Sequence, residues 1–144
     1  MAGAATSGTA IVVVVDVANV MGSRPDGWWR DRAGAATALL AAMPGLVGRV
    51  VDGPEGLGGE PVRIERVVAV VEGAAKAADA PDGIEVIPAP ADGDTTIVAV
   101  AGESAAAADA RAVVVVTADR GLRTRLDTGV LVAGPGWLNA LLGR

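Results

Sequence analysis

Cysteine and histidine are both missing from this chain of 144 residues. Without cysteine there is no disulfide framework and no thiolate metal site. Without histidine there is no imidazole base, no Ser-His-Asp triad and no His-ligated zinc. Any metal would have to be held by oxygen ligands, which points to Mg²⁺ or Mn²⁺. Phenylalanine and tyrosine are missing too, and aromatics make up 2% of a chain that is 51% hydrophobic. Val, Ala and Leu must therefore fill the core, in one domain long enough to bury one. The longest apolar run, Ala10–Val15, is far too short to span a bilayer, and no basic segment precedes it. A cytoplasmic protein with no membrane association is the expectation. The net charge of −5 argues against a protein that coats nucleic acid through its overall field. A local groove stays open, because eleven of the twelve basic residues are arginine, whose planar fork suits phosphate.

What is present alternates. Residues 1–9 are small and polar and read as a flexible tail, leaving 10–144 as a single domain. Ile11–Val15 is an unbroken β-branched run, the pattern of a parallel strand covered on both faces. A Gly/Ser/Pro turn (Gly22–Gly27) leads to "WWRDRAGAATALLAAM", dense in helix formers and stopped by Pro44-Gly45. Gly45–Pro61 holds six glycines and reads as a surface loop with a short strand near Val47–Val51. Further strands are expected at Arg66–Val71, Ile84–Ile87, Ala112–Thr117 and Val130–Val132. Helices are expected at Asp94–Asp109, Arg120–Leu126 and Trp137–Leu142. Strands alternating with helices give a mainly parallel sheet with crossover helices.

In such a sheet, ligands bind beyond the carboxyl ends of the strands. Asp16 and Asn19 follow the first buried strand and Glu72 the second. Asp92 and Asp94 lie in the loop after the third, and Thr117, Asp119 and Arg120 follow the fourth. Each acid also has a plainer reading: Asp94 and Asp119 as helix N-caps, Asp16 as an Asx turn, Glu72 as the end of its strand. Together they share one rim. Carboxylates converging without a basic neighbour repel one another and hold their protons more tightly, and a divalent cation removes that conflict. A rigid strand ending in Asp16 would hold such a ligand in place.

"VVVDVANVMGSRPDGWWRDRAG", "DGDTTIVAVA" and "VVVVTADRGLRTRL" together resemble the NYN branch of the PIN-like nuclease superfamily, in its small single-domain actinobacterial form. The resemblance covers the chain from about Ile11 onward, with Asp-x-x-Asn and Thr-x-Asp-Arg-x-Leu as the distinctive parts. It implies a three-layer α/β PIN-like fold with a central, mainly parallel sheet flanked by helices. It implies metal-assisted cleavage of RNA leaving a 5′-phosphate, with Asp16, Asp94 and Asp119 as ligands of Mg²⁺ or Mn²⁺ and Asn19 orienting Asp16. Relatives show Gly-Asp-Asp-Thr-Ile where this chain has Gly93-Asp94-Thr95-Thr96-Ile97. The neutral Thr95 leads us to expect at most one tightly held ion and slow hydrolysis.

Arg24, Arg30 and Arg32 follow the first motif and Arg120, Arg123 and Arg125 the last. Either group suits a phosphate track or a solvated helix face, and Arg24, Arg30, Arg120 and Arg123 are the candidates for substrate contact. Trp28-Trp29 suits a stacking platform or a helix anchor. Single-stranded RNA, weakly bound, is the expected partner, and a homodimer is allowed. Ala18 stands where a haloacid-dehalogenase phosphatase needs its second acid. Neither a Gly-x-Gly-x-x-Gly turn nor a Walker A lysine is present. The alternatives are a non-catalytic PIN-like domain that binds RNA or protein, and a metal-dependent nucleotide pyrophosphohydrolase.

Overall fold

The computed structural model describes residues 8–107 and 112–144. Strand β1, Thr9–Asp16, is its central element. Successive side chains on a strand point to opposite faces, and here both faces are covered. Ile11, Val13 and Val15 join one core cluster, with Leu39, Leu40, Met43 and Leu138. Val12 and Val14 join the other, with Ile97, Val100 and Leu122. This explains why the run is apolar at every position. In so aliphatic a core, each Val→Ala truncation in β1 should cost about 2 kcal/mol in lost transfer energy and cavity.

Helix α1, Val17–Gly22, follows without a loop. A 3₁₀ turn at Trp28–Arg30 and helix α2, Arg32–Ala41, divide what the sequence suggested was one helix. The division falls at Asp31, whose carboxylate caps α2 by accepting the Gly34 N–H at 2.9 Å. Strand β2, Val50–Asp52, precedes the long β3, Pro61–Val71. Strand β4, Glu85–Pro88, and helix α3, Gly93–Ala105, come next. Then follow β5, Ala112–Val116, α4, Arg120–Arg125, β6, Leu131–Ala133, and α5, Pro135–Leu142. The expected helical end at Asp109 lies outside the described residues, as does most of the expected tail, although Thr9 is already paired in β1.

β1 pairs in parallel with β3 on one side and β5 on the other, and β5 pairs in parallel with β6. The outer edge of β3 is shared. Its first residues pair antiparallel with β2, and Val68–Val71 pair in parallel with β4. A mainly parallel sheet between two helical layers matches the expected α/β architecture. β3 starts earlier than the apolar run at Arg66 suggested, because its charged half is accommodated. The register steps from Ile11↔Ile64 to Val12↔Arg66, which leaves Glu65 as the extra residue of a bulge. Arg63 pairs with Glu65, and Arg66 with Glu85. From β1 the chain moves outward through β3 to β4, then returns to the far side of β1 for β5. The switch point therefore lies between the ends of β1 and β5. No helix among the described residues is long and apolar enough to cross a membrane.

Candidate active site

Asp16 ends β1 at the switch point and is 7% exposed. One carboxylate oxygen accepts the Asn19 N–H at 3.2 Å, so Asp16 also caps α1. The other accepts the Thr117 hydroxyl at 2.9 Å. Thr117, 1% exposed at the end of β5, in turn accepts the Asp119 N–H at 3.1 Å. The Asn19 side-chain oxygen accepts the Ala118 N–H at 2.7 Å. Asn19 thus orients Asp16 through its backbone, while its side chain ties α1 to the loop after β5. Asp119 caps α4, accepting the Leu122 N–H at 3.0 Å.

The other side of the rim rests on α3. Glu72, just past β3, accepts the Gly93 N–H at 2.6 Å. A Cβ on Gly93 would stand 2.9 Å from that same carboxylate oxygen, so a larger residue would push the Glu72 side chain aside. The cap of α3 is Asp92 and not Asp94. Asp92 accepts the Thr95 N–H at 2.7 Å and the Thr95 hydroxyl at 3.1 Å. Asp94 falls inside the first turn, and its carboxylate takes no hydrogen bond from any described residue. Arg125, in the last turn of α4, donates from Nη2 to the Thr95 hydroxyl oxygen at 3.2 Å.

These acids feel one another. Burial raises the Asp16 carboxyl above its ordinary value, and the charges of Asp94 and Glu72 add to this against the bonds from Thr117 and Asn19. Asp94 is also raised, first by desolvation and then by Asp119, Asp92 and Glu72, with Arg125 opposing. Asp92 is lowered, chiefly by the hydrogen bonds from Thr95. Acids brought from β1, β3, α3 and α4 thus share one field, which a cation would relieve.

The fold resembles that of Rae1 (YacP) from Bacillus subtilis. The chain superposes on its crystal structure with a TM-score of 0.65 at 20% identity, covering 92% of this chain and 74% of Rae1. At that identity the likeness to Rae1 bears on the fold, which is PIN-like as expected. No family model matches the chain, and no curated protein matches it significantly.

The donor chemistry fits a hard divalent cation, since every acidic group on the rim offers oxygen. Among the described residues, however, no three acidic side chains are gathered closely enough to cage an ion. Mg²⁺, which keeps several waters and takes one or two carboxylates plus substrate phosphates, does not require such a cage.

The expected substrate arginines fall in two places. Arg24 is exposed after α1, and Arg30 lies over the Trp29 ring at 5.7 Å. Arg120 and Arg123 are exposed on α4. Trp28 packs against the core and Trp29 stands 49% exposed beside it. A groove of about 480 Å³ lies between Met21, Trp28 and Leu39, and none of the rim acids lines it. Two residues matter more than the sequence suggested. The sequence places Thr117 only at the end of its strand, and its bond to Asp16 makes it part of the site. Arg125 had no local sign to separate it from Arg120 and Arg123.

Proposed function

We propose that this chain is a Mg²⁺- or Mn²⁺-dependent ribonuclease that hydrolyses RNA phosphodiester bonds at the rim between β1 and β5. The reading is supported chiefly by Asp16, buried at the switch point of a PIN-like fold, held there by Thr117 and Asn19, and lying within the field of Asp94 and Glu72. Asp16 would be the central ligand, kept in one rotamer by Thr117 and Asn19. Asp94, with no hydrogen bond of its own, would be the second, and Asp119 would hold a metal-bound water. A cation held there would polarise a phosphoryl oxygen and lower the pKa of its bound water. Arg120 and Arg123, with Arg24 and Arg30 on the other flank, would contact the RNA backbone. Binding should be weak and salt-dependent, because the rest of the surface is acidic.

The test is cleavage of a labelled single-stranded RNA in Mg²⁺, Mn²⁺ or chelator, by the parent and by Asp16→Asn. Metal-dependent cleavage leaving a 5′-phosphate, absent in the variant, is expected. Equal cleavage by both would refute the site. A non-catalytic RNA-binding domain is the second reading, favoured because no three acids are gathered among the described residues. RNA binding without cleavage at any metal concentration would select it. Hydrolysis of nucleoside triphosphates in place of RNA would select a pyrophosphohydrolase.

A further inference from the structure

We propose that Arg125 grips a backbone phosphate of the substrate strand at the acidic rim, and that Thr95 aims it there. This rests on the ribonuclease reading and adds the group that meets the substrate.

The arginines of this chain differ in what occupies them. Arg63, Arg66 and Arg144 are committed to ion pairs. Arg30 and Arg32 lie over tryptophan rings. Arg125 is near enough to Asp92 and Asp94 to lower the pKa of both. Yet it forms no ion pair with any described residue. A guanidinium beside two carboxylates ordinarily closes onto one of them, fork to fork. Here the Thr95 hydroxyl intervenes. Its proton goes to Asp92, so its oxygen is left to accept from Arg125. One of the five guanidinium N–H groups is used, and no described residue takes the rest of the planar fork.

Open N–H groups next to Asp94 answer a problem the rim creates for its own substrate. Asp16, Glu72, Asp92, Asp94 and Asp119 all repel a polyanion. A phosphate can approach only if a cation stands at its landing point. Arg125 does so without being neutralised by the acids it faces, and it offers the bidentate geometry that phosphate oxygens take.

The experiment measures binding of a fluorescein-labelled single-stranded RNA across a salt series in chelator. Steady-state cleavage in Mn²⁺ is followed in parallel for the parent, Asp16→Asn, Arg125→Ala, Arg125→Lys and Thr95→Val. Arg125→Ala should weaken binding about tenfold and reduce the log–log salt slope by about 0.7, the share of one phosphate contact on a single strand. KM should rise while kcat stays within about twofold, as for lost uniform binding. Arg125→Lys should restore the slope but only part of the affinity, having charge without the fork. Thr95→Val should weaken binding with the slope unchanged, since the charge remains but is no longer aimed. An unaltered slope and KM in Arg125→Ala would overturn the proposal, even where Asp16→Asn abolishes cleavage and so upholds the ribonuclease reading. If no protein cleaves RNA but Arg125→Ala still loses slope, catalysis falls and the phosphate grip stands. A parent that binds no RNA refutes both. A single cooperative thermal transition in each variant would show that it is folded.

Discussion

Asp16 and Thr117 on one side of the rim, and Asp92, Asp94 and Thr95 on the other, offer similar oxygen chemistry on supports of different stiffness. The first pair sits at the ends of adjacent parallel strands, buried and bonded directly to each other. Asn19 adds a second tie across the same gap. The other group is held by the cap of α3, by the Glu72–Gly93 bond and by the bond from Arg125 to Thr95, and Asp92 and Thr95 are exposed. A carboxylate locked between two strands cannot move without disturbing the sheet. One in the first turn of a capped helix can change rotamer at little cost. On the proposed reading, the rim would pair a fixed ligand with an adjustable one, which could turn toward a hydrated ion and its phosphate.

The largest effect should come from the fixed side. Asp16→Asn should reduce cleavage by more than about 100-fold, since even residues that only support a metal ligand cost about 10–100-fold. Mn²⁺ should raise the parent's thermal midpoint through mass action and leave the variant's unmoved. Stability without metal should change in the opposite sense. Asp16 and Asp94 are both raised above the ordinary 3.8, so the folded protein retains protons that the unfolded chain has released. Stability therefore falls as pH rises through those raised values, and the cost is full above them. Urea unfolding in chelator from about pH 4 to 7 should show a shallower fall for Asp16→Asn. A steeper one would mean that Asp16 is stabilised as an anion.

Thr117→Val should come next. It leaves the Asp119 N–H without its acceptor and takes a hydrogen bond from a buried carboxylate, for a loss of about 1–3 kcal/mol. Cleavage should fall by about 10–100-fold, with weaker metal binding. Losing stability with no change in metal affinity would confine Thr117 to the fold. On the adjustable side, Gly93→Ala forces Glu72 away from the start of α3 and should cost about 1 kcal/mol, with a several-fold drop in cleavage. A drop as large as that of Asp16→Asn would show that this half is no more forgiving than the other.

Much of this contrast is written locally in the chain, and part of it is not. The unbroken run at Ile11–Val15 marks β1 as central because only a strand covered on both faces can be apolar at every position. Asp16 and Asp119 stand out because each follows such a run. Helix α1 was hidden, since its Val17 and Val20 continue a β-branched pattern and its capping acid is Asp16 itself. The first half of β3 was hidden by Arg63, Glu65 and Arg66, which a bulge and ion pairs make tolerable. "DGDTT" offers Asp92 and Asp94 equally as caps. The bond from Gly93 to Glu72, a residue of another element, accompanies the register in which Asp92 caps and Asp94 is released to the site. Likewise Thr117 meets Asp16 across 101 residues, and no local pattern could show it. Arg125 reached Thr95 through the packing of α4 against α3, which spacing alone does not fix.

The smallest effect should fall outside the contrast, at the tryptophan arm. Arg30 lies over Trp29, and Arg32 over Trp28 at 5.3 Å. The two rings meet edge to face with centroids 5.9 Å apart. Each cation here already has an aromatic partner within its own segment, so releasing it to a phosphate would sacrifice about 0.5–1 kcal/mol of cation–π attraction. Arg125 faces no such loss, because among the described residues its guanidinium bonds only the Thr95 hydroxyl. Arg30→Ala should therefore lower stability by less than about 1 kcal/mol. It should alter the salt slope of RNA binding by less than half of the change made by Arg125→Ala. Trp29→Ala separates the two roles of the arm. If the ring serves only Arg30, its loss leaves RNA affinity in place or improves it by freeing the guanidinium. If Trp29 stacks a base, affinity falls at all salt concentrations alike, since stacking releases no counterions. Equal slope losses in Arg30→Ala and Arg125→Ala would mean that the strand crosses the whole rim, and that the tryptophan arm belongs to the substrate path.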